Sequence, residues 1–191
     1  MTYLRSLAPD AALLQVFHAY PHVSRPLLDL HELILRKDSP FSVAERELMA
    51  AYVSGLNGCA YCHGIHTATA EAFGVPAGLL AEALTDLDAA PVDERLRPVL
   101  RYLDTLTRHP ARLTEKDAEA VFAAGWDDRA LHDAVMVCAL FNFMNRMVEG
   151  LGVCADEGYF ATSANRLHQG GYSGLVPTAD GERGAGPSEG R

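Results

Sequence analysis

The chain is short of most features that would direct it to a specialised class. Its four cysteines in 191 residues are too few for a disulfide scaffold. No Lys/Arg cluster occurs, and 16 basic against 25 acidic residues give a formal net charge of −9. Nucleic acids and anionic membrane surfaces need concentrated positive charge, so neither is an expected partner. The longest apolar run, 134–144, is interrupted by Asn142 and is too short to span a bilayer. The first twenty residues lack the basic start and unbroken apolar core of a signal peptide, because Arg5, Asp10 and His18 interrupt them. No segment alternates apolar and polar residues as a half-buried strand does. These absences lead to the expectation of a cytoplasmic, all-α protein.

What is present is helical punctuation. The spacing predicts a first short helix over 10–20, stopped by Pro21, and a second capped by Ser24 that ends near Lys37. Ser42 followed by Glu45 is a capping box, in which each side chain satisfies an orphan backbone donor of the other. The helix it opens should end near Leu56 and break at Asn57-Gly58, and another should run from Cys59 to Phe73. Further helices are expected over 77–84, 93–108 and 114–124. Asp127 caps a long one reaching about Gly150, whose middle is apolar all round and therefore reads as the central buried helix. An offset of 85 positions aligns Ser42 with Asp127 and Asn57 with Asn142, too slight a match to build on. The expected organisation is a single helical domain over 1–160 and an extended tail over 161–191. The Gly-rich end of that tail, 181–191, cannot bury enough surface to order itself.

The chemistry concentrates in Glu47, Cys59, Cys62 and His66. Cys59 and Cys62 stand three apart at a helix start, and His66 is four further on, so helical spacing aligns them on one face. A thiolate at a helix N-terminus is favoured by the dipole and the unpaired N–H groups. A second cysteine one turn away can close a disulfide with whatever forms on the first. His66 is spaced to relay the thiol proton. Glu47, on the preceding helix, can orient the imidazole as the third member of a triad does. Four other residues are candidates for the surrounding pocket: Tyr61, His63, Asn142 and Asn145. Cys138 reads as a core thiol and Cys154 as structural.

The pattern Glu-x11-Cys-x-x-Cys-x-x-x-His, read as Glu47, Cys59, Cys62 and His66, resembles the signature of the AhpD-like alkylhydroperoxidases within the carboxymuconolactone decarboxylase superfamily. Residues 53–59 fit it well, and 141–146 are similar to its branch of uncharacterised peroxidase-related proteins. The resemblance implies an AhpD-like all-α bundle that assembles as a dimer or larger homo-oligomer. It implies Cys62 as peroxidatic thiol, Cys59 as resolving thiol, and His66 with Glu47 as proton relay. The activity implied is reduction of a small organic hydroperoxide, with an external thiol or dithiol as reductant and no bound cofactor. One departure is visible. The best-known members carry a relay His between the two cysteines, and this chain has Tyr61 there.

Two other readings of the same residues stay open. The dithiol could exchange with disulfides of other proteins, as a general disulfide oxidoreductase does. Cys59, Cys62 and His66 could instead hold zinc in a non-catalytic, structural protein. A closed zinc site needs a fourth ligand, usually from a second Cys/His pair, and Cys138 and Cys154 are not spaced to supply one, so no metal is expected.

Overall fold

The computed structural model describes residues 1–175; the end of the expected tail, 176–191, lies outside the described residues. Among these there are nine α-helices and no strand. They are α1 (Leu13–Ala19), α2 (Pro21–Arg36), α3 (Val43–Leu56), α4 (Ala60–Ala72), α5 (Leu79–Thr85), α6 (Leu96–Arg108), α7 (Glu115–Ala123), α8 (Asp128–Gly150) and α9 (Glu157–Gly170). No described helix is long and apolar enough to cross a membrane.

Local chemistry sets several of these boundaries. Ser42 Oγ accepts from the Glu45 N–H at 3.2 Å while Glu45 Oε2 accepts from the Ser42 N–H at 2.7 Å, closing the expected capping box at the start of α3. Asp127 and Asp156 cap α8 and α9 by accepting from Ala130 N–H and Tyr159 N–H, at 2.8 and 2.9 Å. Between α3 and α4, Gly58 takes φ +70°, a left-handed conformation that glycine enters without steric cost. The chain then reverses, and Cys59 N–H bonds back to Ser54 O at 3.0 Å.

Three expectations need correction. Helix α1 ends just before Pro21 as expected, but Ser24 does not cap the next helix, because Pro21 itself opens α2 at its first position, where its missing N–H would have had no partner anyway. Ser24 accordingly lies inside α2, its hydroxyl donating to Tyr20 O at 2.9 Å. The helix buried on every side is α3, not α8: each residue from 46 to 54 is buried. Its burial is masked in the sequence by Arg46, Glu47 and Ser54, whose polar groups are satisfied internally. By contrast α8 buries Val137, Cys138, Phe141 and Met144 on one face and leaves Phe143 52% exposed on the other. Finally, α9 crosses the boundary expected at residue 160, so residues up to Gly170 are helical rather than extended tail. Its core face is made of Ser163, Ala164 and Leu167, small side chains that give little hydrophobic signal but allow close approach. The contact with α4 is tight enough that a Cβ on Gly64 would lie 2.4 Å from the Phe160 ring.

Helix α3 thus runs through the centre, with α4 folded back along it and α6, α8 and α2 around it, while α9 covers the outer side of α4. Asn57, at the α3–α4 turn, ties this hairpin to α8 by donating to Asn145 Oδ1 at 2.8 Å and Asn142 Oδ1 at 3.2 Å. The weak 85-residue offset therefore corresponds to two N-caps and to two asparagines in direct contact.

Candidate active site

Glu47 is carried by the buried middle of α3 and is fully inaccessible. Because α4 folds back along α3, His66 comes to lie opposite it, and His66 Nδ1 stands 2.6 Å from Glu47 Oε2. A carboxylate can only accept, so Nδ1 carries the hydrogen and Nε2 is left to take or release a proton. Phe141 packs its ring against the imidazole at 4.5 Å between centroids.

The second carboxylate oxygen is occupied too. Arg36, in the last turn of α2, brings Nη1 to 2.6 Å from Glu47 Oε1, and the Tyr172 hydroxyl donates to the same oxygen at 3.1 Å. Burial alone would push the Glu47 carboxyl up. The charges and hydrogen bonds of His66 and Arg36 together outweigh it and hold the group below its ordinary range, so it is ionised. Tyr172 is pushed well up by burial and by the neighbouring carboxylate, and stays a neutral donor.

His31, on α2, has Nδ1 2.7 Å from Leu27 O and therefore donates there. Burial drives its pKa down to about 4, with the Leu27 bond opposing, and His66 lowers it further. It is a neutral imidazole at neutral pH.

The two sulfurs are unequal. Cys59 is the N-cap residue of α4, and the thiol and backbone N–H of Cys62, one turn on, both favour its ionised form. The Cys62 thiol bond lowers its pKa most; burial and a hydrogen bond to Glu149 oppose, but the net direction is down. Cys62, holding the shared proton, is pushed well up, by that same bond first and by burial second, with a hydrogen bond from Asn145 opposing. Cys59 is therefore the more acidic sulfur of the pair. All four cysteines are free, and Cys138, raised by burial, is a core thiol bonded to Thr107, while Cys154 is exposed.

Access distinguishes the sulfurs in the opposite sense. A cavity of about 70 Å³ is lined by Cys62 and His66 but not by Cys59. His31, Tyr61, Tyr159, Tyr172, Ser163 and Arg166 supply the remaining polar groups of an otherwise apolar wall.

The structure brings Glu47 and His66 together, and Cys62 beside His66 on the cavity, with Cys59 behind it. Tyr61 lines the cavity but stands outside the carboxylate–imidazole chain: its oxygen accepts the orphan Leu13 N–H of α1 at 3.3 Å and its hydroxyl donates to Tyr159 at 3.3 Å. His63 points away and bonds Ala51 O at 2.9 Å. Asn142 is not on the cavity; it donates to Cys138 O at 3.0 Å. Asn145 touches the thiols rather than the cavity, bonding Cys62 and donating to Ser54 Oγ at 3.0 Å. Sequence reading missed Arg36, Tyr172, His31, Glu149 and Arg166. Only Arg36 left a trace, as a charged residue closing a largely apolar helix. Among the described residues no group of three or more His, Cys, Asp or Glu side chains is arranged to hold a metal ion.

Residues 21–105, which contain the four motif residues, match the model of the carboxymuconolactone decarboxylase family. A search of the curated proteins returns no match. Among solved structures, an uncharacterised peroxidase-related protein from a Silicibacter species is 26% identical, with a TM-score of 0.72 and 78% of each chain covered. An uncharacterised peroxidase-related protein from Ralstonia eutropha, described as an alkylhydroperoxidase AhpD core, is 22% identical, with a TM-score of 0.71 and again 78% of each chain covered. A debrominase solved with 2,3,4-tribromopyrrole shares the fold at 14% identity, with a TM-score of 0.68 and 81% of each chain covered.

Proposed function

We propose that the chain, whose residues 21–105 match the carboxymuconolactone decarboxylase family and whose fold is AhpD-like, is a thiol-dependent peroxidase reducing small organic hydroperoxides with Cys62 and Cys59. The observation that carries this reading is the placement of the sulfurs: Cys62 lines a cavity beside a buried His–Glu pair, and Cys59, one turn away, does not line it and has a lowered pKa.

The steps follow from that placement. The Cys62 proton passes to His66 Nε2, the ring nitrogen that Glu47 leaves free. Asn145 supports the resulting Cys62 thiolate by hydrogen bonding. That thiolate attacks the terminal peroxide oxygen; the S–O bond forms and the O–O bond breaks. The leaving alkoxide takes a proton from His66, whose positive charge Glu47 offsets, and Cys62 is left as a sulfenic acid. Cys59, as thiolate, then attacks the Cys62 sulfur, forming the disulfide and expelling hydroxide, which is protonated to water. An external thiol or dithiol supplies two electrons and two protons to restore the pair.

Enclosure favours a small substrate over a protein disulfide. Cys59 is inaccessible and Cys62 only 3% exposed, which leaves neither sulfur open to a partner protein's disulfide. As part of the same proposal the protein is a homo-oligomer, as the AhpD-like resemblance implies.

The test is a Cys59→Ser protein treated with one equivalent of cumene hydroperoxide in the presence of dimedone. One dimedone adduct on Cys62 is expected. No adduct on Cys62, with the hydroperoxide unconsumed, would overturn the reading.

A further inference from the structure

The polar groups of the cavity wall can be followed one at a time, and all but one are electrically accounted for. His31 is neutral, Tyr61 is held as a phenol by burial and by Tyr159, and Tyr172 is a phenol bonded to Glu47. Glu47 is balanced by Arg36 and His66. Arg166, on α9, is the exception. Its Nη2 donates to Ser163 Oγ at 2.9 Å, and its guanidinium carbon lies 5.8 Å from the centroid of the Tyr159 ring. Its Nε is buried and has no hydrogen-bond partner. Among the described residues no carboxylate pairs with it. Arg36 also has an unpartnered Nε, but its charge is met by Glu47.

A guanidinium carries five N–H donors in a planar fork that fits a carboxylate. Leaving one buried and unused is unfavourable unless a ligand or water takes it up. An uncompensated cation in an otherwise apolar wall also gives the cavity a positive field, against a chain whose net charge is −9. We propose that Arg166, with Ser163, is a substrate-recognition site for a carboxylate. The ligand would be a small molecule with an apolar body lying against Leu14, Phe17 and Ile65 and a carboxylate on Arg166. Resting on the peroxidase reading, the substrate class becomes a hydroperoxide that also bears a carboxylate.

The test does not depend on turnover. Alkylation of Cys62 in the full chain is followed by mass spectrometry with iodoacetate, an anion, and with iodoacetamide, its neutral counterpart. The iodoacetate-to-iodoacetamide rate ratio is expected to fall at least about tenfold in Arg166→Gln and to be partly retained in Arg166→Lys. A ratio that does not move would overturn the proposal. As a second measurement, calorimetry on the unaltered protein compares hexanoate with hexanamide. Tighter binding of hexanoate by at least about tenfold is expected, and equal binding of the two overturns the proposal. Selection of the anion by a protein that no hydroperoxide oxidises would sustain this site and remove the peroxidase reading. Hydroperoxide turnover with neither preference would do the reverse.

Discussion

Arg36 stands 2.6 Å from the Glu47 oxygen that does not serve His66, so a single buried carboxylate is gripped from α2 on one side and α4 on the other. Through Glu47, itself on α3, the contact ties α2 to α4, whose His66 lies 30 residues beyond Arg36. Removing one member of such a pair leaves the other charge buried without compensation. Glu47→Gln is therefore expected to destabilise the protein by roughly 3–5 kcal/mol, and to slow oxidation of Cys62 in whatever fraction remains folded. Urea denaturation together with the rate of thiol loss on hydroperoxide addition checks both. Unchanged stability would show that the Arg36 contact is not maintained in solution.

Acid sensitivity should reveal His31 before it reveals Glu47. The His31 folded-state pKa of about 4 lies below its unfolded value of 6.5, so between these limits the unfolded chain binds the extra proton. Stability should thus fall as pH drops from about 6.5 towards 4, by on the order of 3 kcal/mol from this group. Glu47, also lowered, adds stability that is present above the ordinary carboxylate range and lost only as pH falls through its folded value. In His31→Gln the upper part of the acid limb should flatten. Denaturation midpoints at pH 7, 5.5 and 4.5 decide it, and identical slopes for the two proteins would count against a buried neutral His31.

Glu149 favours the protonated form of Cys59, by accepting a hydrogen bond from the thiol and by its own charge. Glu149→Gln should accordingly lower the pKa of Cys59 further, visible as thiolate absorbance rising at lower pH. A shift upward would mean that the carboxylate does not face the sulfur.

Gly64 permits α9 to lie on α4. Alanine in a helix interior ordinarily stabilises by up to about 1 kcal/mol over glycine. Here its Cβ would meet the Phe160 ring at 2.4 Å, so Gly64→Ala is expected to cost about 1–3 kcal/mol instead. Thermal unfolding gives the sign directly.

What could be read from the residues was what local chemistry determines. Ser42 with Glu45, Asp127, and Asn57-Gly58 mark helix ends through groups only a few residues apart, and the ends of α3, α4 and α8 fall at or within a residue or two of where these signals put them. The pairing of Glu47 with His66 was legible because a tight turn leaves antiparallel helices little choice of register. Arg36 and Tyr172 were not, since they reach Glu47 from positions 11 residues before and 125 residues after it (47 − 36 and 172 − 47), and nothing in their surroundings announces a buried partner. Tertiary packing hid α9 in the same way: Gly64 and Ala164 bring helices together without a strong apolar stripe. Burial of α3 was hidden by polar residues whose partners lie elsewhere, and the apolar content of α8 overstated its burial.

The central claim is that Cys62 and Cys59 act as one redox pair on a hydroperoxide, and thiol counting tests it most directly. The fully reduced protein, under exclusion of air, is given one equivalent of an organic hydroperoxide, alkylated, and weighed intact. The account predicts rapid loss of two of the four thiols, mapped to a Cys59–Cys62 disulfide, with Cys138 and Cys154 still free. Four thiols persisting after minutes would contradict it.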